Sequence, residues 1–147
     1  MRPMLVVAGA FFTLMITSCG GGGTTEREIV DSLQDQLRSV SGDWTGLVNA
    51  PNGIRFEFKL QQASNGQVSG TGTMKEDNAA TPVPITVSGT FVQPNLTLVF
   101  DGMVYESRQV KGAAQGSYTT VGGVGSTLLL TAPNYARELP ILLQEKP

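Results

Sequence analysis

The stretch Ile54-Arg55-Phe56-Glu57-Phe58-Lys59-Leu60-Gln61 alternates apolar and polar residues without a break. Successive side chains of an extended chain point to opposite faces, so this pattern makes a strand with one buried and one wetted side. On a helix the same residues would scatter their apolar side chains around the axis. The alternation returns with Val68, Gly70, Gly72 and Met74 set against Ser69, Thr71, Thr73 and Lys75. It recurs with Val83, Ile85, Val87, Gly89 and Phe91 against Thr86, Ser88 and Thr90, and with Leu96, Leu98 and Phe100 against Asn95, Thr97 and Val99. A first strand over 42–49 and less regular ones over 103–111, 114–121 and 125–132 bring the expected number to about eight. Between them stand Pro51-Asn52-Gly53, Asn65-Gly66, Pro94-Asn95, Asp101-Gly102 and Gly122-Gly123, all residues that favour turns. The expected fold is all-β: an antiparallel up-and-down barrel over 41–147, a closure that removes exposed edges.

Val-Ser-Gly-Thr occurs at 68–71 and again at 87–90, with its glycine on the apolar face both times. Such a glycine either leaves room for a ligand or lets a neighbouring backbone approach; the second reading is favoured. Ahead of the strands, Thr25-Glu26-Arg27-Glu28 matches a capping box. Ile29, Val30, Leu33, Leu37 and Val40 follow at spacings of three and four, so the pattern predicts a short amphipathic helix over 26–40 that packs against the barrel.

The N-terminus has a different character. Arg2 precedes an apolar run from Leu5 to Ile16, which is short for a membrane span and has the proportions of a signal peptide. Ile16-Thr17-Ser18-Cys19 then resembles the bacterial lipobox. That resemblance implies a lipoprotein signal peptide over 1–18, removed before the cysteine, and lipidation of Cys19 by palmitate-like acyl chains. The partner would be the membrane, reached through those chains, and the location the bacterial cell envelope. Gly20 stands where an aspartate would retain a Gram-negative lipoprotein at the inner membrane, so the resemblance implies the outer one. The glycines at 20–23 make residues 19–25 a flexible tether.

Gly42-Asp43-Trp44-Thr45-Gly46 opens the first strand and resembles the Gly-x-Trp start of the calycin group, the lipocalins and avidins. The resemblance implies that Trp44 plugs one barrel end and that an arginine, Arg108 or Arg137, packs over its ring. Trp44 is the only tryptophan, so the aromatic box of biotin-binding relatives is not expected, and no second lipocalin motif is recognisable.

The chain has no histidine and a single cysteine, which removes Ser-His and Cys-His nucleophiles and any imidazole or multi-thiolate metal site. Neither a metal nor a cofactor is expected. Glu76-Asp77 is the densest carboxylate pair, and it reads as a solvated loop. With no set of nucleophile, base and orienting group, the chain is not expected to be an enzyme. A net charge of −2 with no basic cluster speaks against nucleic acid.

Strand 103–111 admits two registers. One turns Glu106 and Arg108 inward with Val104 and Val110; the other turns Tyr105, Ser107 and Gln109 inward and leaves the charges in water. Candidate ligand-facing residues are Phe56, Phe58, Phe91, Phe100, Glu106 and Tyr118. Two functions follow: a module holding a small or apolar molecule, or a filled barrel acting as a structural or protein-interaction module, such as an accessory subunit or inhibitor. Interior volume separates them.

Overall fold

A computed structural model describes residues 38–119 and 121–147. Eight strands follow one another: β1 (Gly42–Val48), β2 (Ile54–Gln62), β3 (Gln67–Glu76), β4 (Val83–Val92), β5 (Asn95–Tyr105), β6 (Arg108–Ser117), β7 (Gly123–Ala132) and β8 (Tyr135–Glu145). Each pairs antiparallel with the next, and β1 pairs with β8 from Trp44↔Glu145 to Val48↔Ile141, which closes the barrel. The architecture is all-β and consistent with a calycin-like barrel. The signal peptide, Cys19, the tether and most of the expected helix lie outside the described residues. Arg38, Ser39 and Val40, the end of that expected helix, have no helical structure.

The number of strands matches the expectation, although two of the strands do not. Asp101-Gly102 is no turn: β5 runs through it to Tyr105 with a shift of register between Phe100 and Met103, and Gly102 takes φ +82° there. That is the signature of a bulge, one extra residue accommodated within a continuous strand. The true turn is Glu106-Ser107, between Tyr105 and Arg108. β8 was not expected at all. Pro140 obscures it, yet β1's partners on β8 end at Ile141, so Pro140 stands one residue past that pairing, where a missing N–H costs no ladder bond. The 103–111 segment therefore belongs to two strands. Tyr105 faces inward before the turn and Val110 faces inward after it, so each half adopts a different one of the two registers.

Alternation sets what lies inside. Ile54, Phe56, Phe58 and Leu60 of β2 are buried, whereas Arg55, Glu57, Lys59 and Gln61 face out. The wall is thus polar outside and apolar inside, the reverse of a lipid-facing barrel. The repeated Val-Ser-Gly-Thr glycines serve close backbone approach: a β-carbon at Gly70 would run into the carbonyl oxygen of Lys59, and one at Gly89 into that of Thr97. At other inward glycines the space is taken by side chains of the adjacent strands. A β-carbon at Gly112 would meet Met103 Sδ at 2.6 Å and Leu128 at 3.1 Å.

Gly89→Ala should therefore destabilise the fold by about 1–3 kcal/mol, the usual cost of forcing extra volume into packed structure. Gly125, whose added β-carbon would meet nothing within 4 Å, is the control. Gly125→Ala should stay within about 0.5 kcal/mol of wild type in urea melts.

Candidate functional site: the two ends of the barrel

One end is sealed by Trp44, which is fully buried. Its indole Nε1 donates to the Val40 carbonyl at 2.9 Å, and the Val40 N–H donates to Gln62 Oε1 at 3.0 Å. The chain entering β1 is thereby folded over the opening. The indole lies parallel to Phe58 with centroids 6.5 Å apart and tilts against Tyr118 at 5.7 Å. The Tyr118 hydroxyl donates to Glu145 at 2.6 Å, and burial together with that bond to a carboxylate pushes its pKa up to about 12. The arginine at this end is Arg38, whose guanidinium lies 5.0 Å from the Tyr118 ring centroid. The resemblance implied Arg108 or Arg137 here, and neither stands at this end: they lie over Tyr135 and Tyr105. Both stand near the far ends of their strands. Arg137 is eight residues along β8 from Glu145, the β1 partner of Trp44, or roughly 26 Å at ~3.3 Å per residue.

The middle of the barrel holds the candidate ligand-facing aromatics, and they face one another. Phe100 meets Phe56 at 5.2 Å and Phe58 edge-on at 5.7 Å, while Phe91 meets Tyr118 edge-on at 5.9 Å. All are at most 8% exposed. The grooves that the structure offers, such as the one of about 400 Å³ between Gln109-Val110-Lys111 and Thr131-Ala132-Pro133, open on the outer wall.

The opposite rim gathers polar chemistry from several loops. Glu106 and Ser107 form a two-residue turn with φ +50° and +59°. That left-handed pair suits Asn-Gly and strains most other residues by about 1–2 kcal/mol each. Glu76, the last residue of β3, holds the turn. The residue is 7% exposed, and its carboxylate accepts the Glu106 N–H with both oxygens, at 3.1 and 3.2 Å. The Glu106 carboxylate accepts from Arg137 Nη1 at 2.8 Å and from Asn52 Nδ2 at 3.2 Å, which ties the β1–β2 loop and β8 to the same turn. Glu106 is thus an exposed turn residue rather than part of an interior wall.

Two tyrosines lie beneath the rim arginines. Arg137 stands over Tyr105, 5.6 Å from its centroid, and Arg108 over Tyr135 at 4.5 Å. Both tyrosine hydroxyls are buried and lack a hydrogen-bond partner among the described residues. Burial raises the Tyr105 pKa; the Arg137 charge opposes this, and the carboxylates of Glu106 and Glu76 add to it. The Tyr135 phenol is near enough to favour the Arg137 cation and raise its pKa, although the pair does not reach good hydrogen-bond geometry. Sequence reasoning missed Tyr135 because it missed β8, and missed the role of Glu76 because it placed that residue in a loop. The available signal was Pro133-Asn134 followed by inward Tyr135, Arg137, Leu139, Ile141 and Leu143 at period two.

No protein-family model, curated protein or solved structure matches the chain.

Glu76→Ala should leave the Glu106 N–H without its acceptor and cost about 1–3 kcal/mol, with Glu76→Gln costing less because its carbonyl still accepts. Equilibrium unfolding of both variants checks this; equal, near-zero losses would remove Glu76 as the support of the turn.

Proposed function

We propose that this is a lipid-anchored envelope protein whose filled barrel serves as a structural or protein-interaction module, without catalysis and with its Glu106 rim as the working end. The observation that carries the reading is the meeting of Phe56, Phe58 and Phe100 at the centre, where a guest would have to sit. The polar outer wall suits a barrel standing in water. The lipobox resemblance supplies the anchor, Cys19, and the outer membrane is the proposed location. Arg38 enters at the Trp44 end, so a tether leaving from there would turn the Glu106 rim away from the membrane.

Metabolic labelling with palmitate tests the anchor. Cys19→Ser should lose the label and move to the aqueous phase on detergent partitioning, with unfolding unchanged; continued labelling would refute the assignment. Native mass spectrometry of the purified protein tests the filled interior and should find the polypeptide with its acyl chains only, whereas a retained small molecule would favour the ligand-holding alternative. A photo-crosslinking residue at Ser107 should give a discrete adduct in cells, and one at Thr86 on the wall should not. The reverse pattern would move the working surface to the wall.

A further inference from the structure

Resting on the reading of the Glu106 rim as the working end, we infer that this rim is a binding site for a carboxylate group, received by Arg108 together with the hydroxyls of Tyr105 and Tyr135. The charges at the rim are unequally matched. Arg137 is paired with Glu106, and Glu76 is satisfied by a backbone N–H. Among the described residues Arg108 has no acidic partner, and it rests on the face of Tyr135. It pairs with inward-facing Tyr105 across the β5–β6 turn, so it stands on the interior side of the wall at the mouth, exposed to a ligand from above.

The second observation is independent of charge. Tyr105 is 1% exposed, and its hydroxyl, like that of Tyr135, is buried without a partner. A buried hydroxyl left unpaired is costly, and a site that hydrogen-bonds its ligand through such groups gains the bond when the ligand arrives. A ligand offering two acceptor oxygens and one negative charge matches this set: a planar fork for the guanidinium and an acceptor for a phenol. A carboxylate carries one charge. Phosphate carries more, and Glu76 and Glu106 would repel the excess. The packed interior leaves no path for a long tail, so the carboxylate belongs to a small acid or to a protein surface.

The test is a nuclear magnetic resonance titration of the full-length chain in detergent, following the arginine side-chain N–H signals. The probes are sodium acetate, the peptide acetyl-Gly-Glu-Gly-amide, its glutamine counterpart, and sodium phosphate, all at matched ionic strength. Acetate and the glutamate peptide should shift the Arg108 signal saturably, and the glutamine peptide should not. Tighter binding of the glutamate peptide points to a protein carboxylate, and equal binding to a small acid. Followed at the neighbouring Arg137 signal, Arg108→Gln should weaken binding about tenfold or more, as loss of a charge-assisted contact does. Tyr105→Phe should also weaken it, while Arg55→Gln, on the outer wall beside Asp77, should not. Absence of a saturable shift, tighter binding of phosphate, or equal affinity in Arg108→Gln would overturn the inference. If crosslinking from Ser107 persists under any of those results, the rim remains the working end and only its chemistry was misread; if crosslinking fails as well, both readings fall.

Discussion

Three phenylalanine rings meet at the centre of this barrel, and the wall is built around the need to close on them. Phe56, Phe58 and Phe100 come from β2 and β5, on different sides of the interior. A closed eight-stranded wall has room for such rings only if neighbouring inward positions are small. Gly46 gives way to Phe56 and Leu143, and Gly112 to Met103 and Leu128. Gly70 and Gly89 perform a different task, admitting carbonyls from the adjacent strands. Small inward residues in this chain are therefore the complement of large ones, and they do not mark a cavity.

With the middle filled, the two ends become chemically separate. The Trp44 end is hydrogen-bonded and shut: indole to Val40, Val40 to Gln62, Tyr118 to Glu145. The indole, the Val40 amide and the Tyr118 phenol there each have a partner within the fold. The Glu106 end holds a left-handed turn made of residues that do not favour it and, among the described residues, two phenols without partners and a guanidinium without a carboxylate. Strain and unmet hydrogen-bonding capacity are costs that a packed domain has no structural reason to collect at one place. Their concentration at one rim is the physical basis for proposing that function lies there.

Much of the wall was legible because it depends on period two alone. β2, β3 and β4 alternate cleanly, and apart from Glu76 their buried residues are the ones the pattern names. Where the reading failed, a local signal competed with a tertiary one. Asp101-Gly102 has turn chemistry, but the cross-strand pairing on both sides of it was strong enough to absorb the extra residue as a bulge. Glu106-Ser107 lacks turn chemistry and turns nonetheless, because the Glu76 carboxylate, thirty residues earlier, captures its N–H. Pro140 reads as a strand breaker until the length of β1 is known. The aromatic candidates are all buried, but whether such rings line a space or fill it depends on how strands far apart in sequence face one another. The rim site combines β3, β5, β6, β8 and a loop, a convergence that no single stretch of sequence records.

The filled interior is the claim on which the account rests, and truncating Phe100 tests it most directly. Phe100 is fully buried against both other rings. In a packed core, Phe100→Ala should lower the free energy of unfolding by about 3–5 kcal/mol. A loss below about 1 kcal/mol, measured by urea denaturation, would mean that the ring borders open space and would contradict the account.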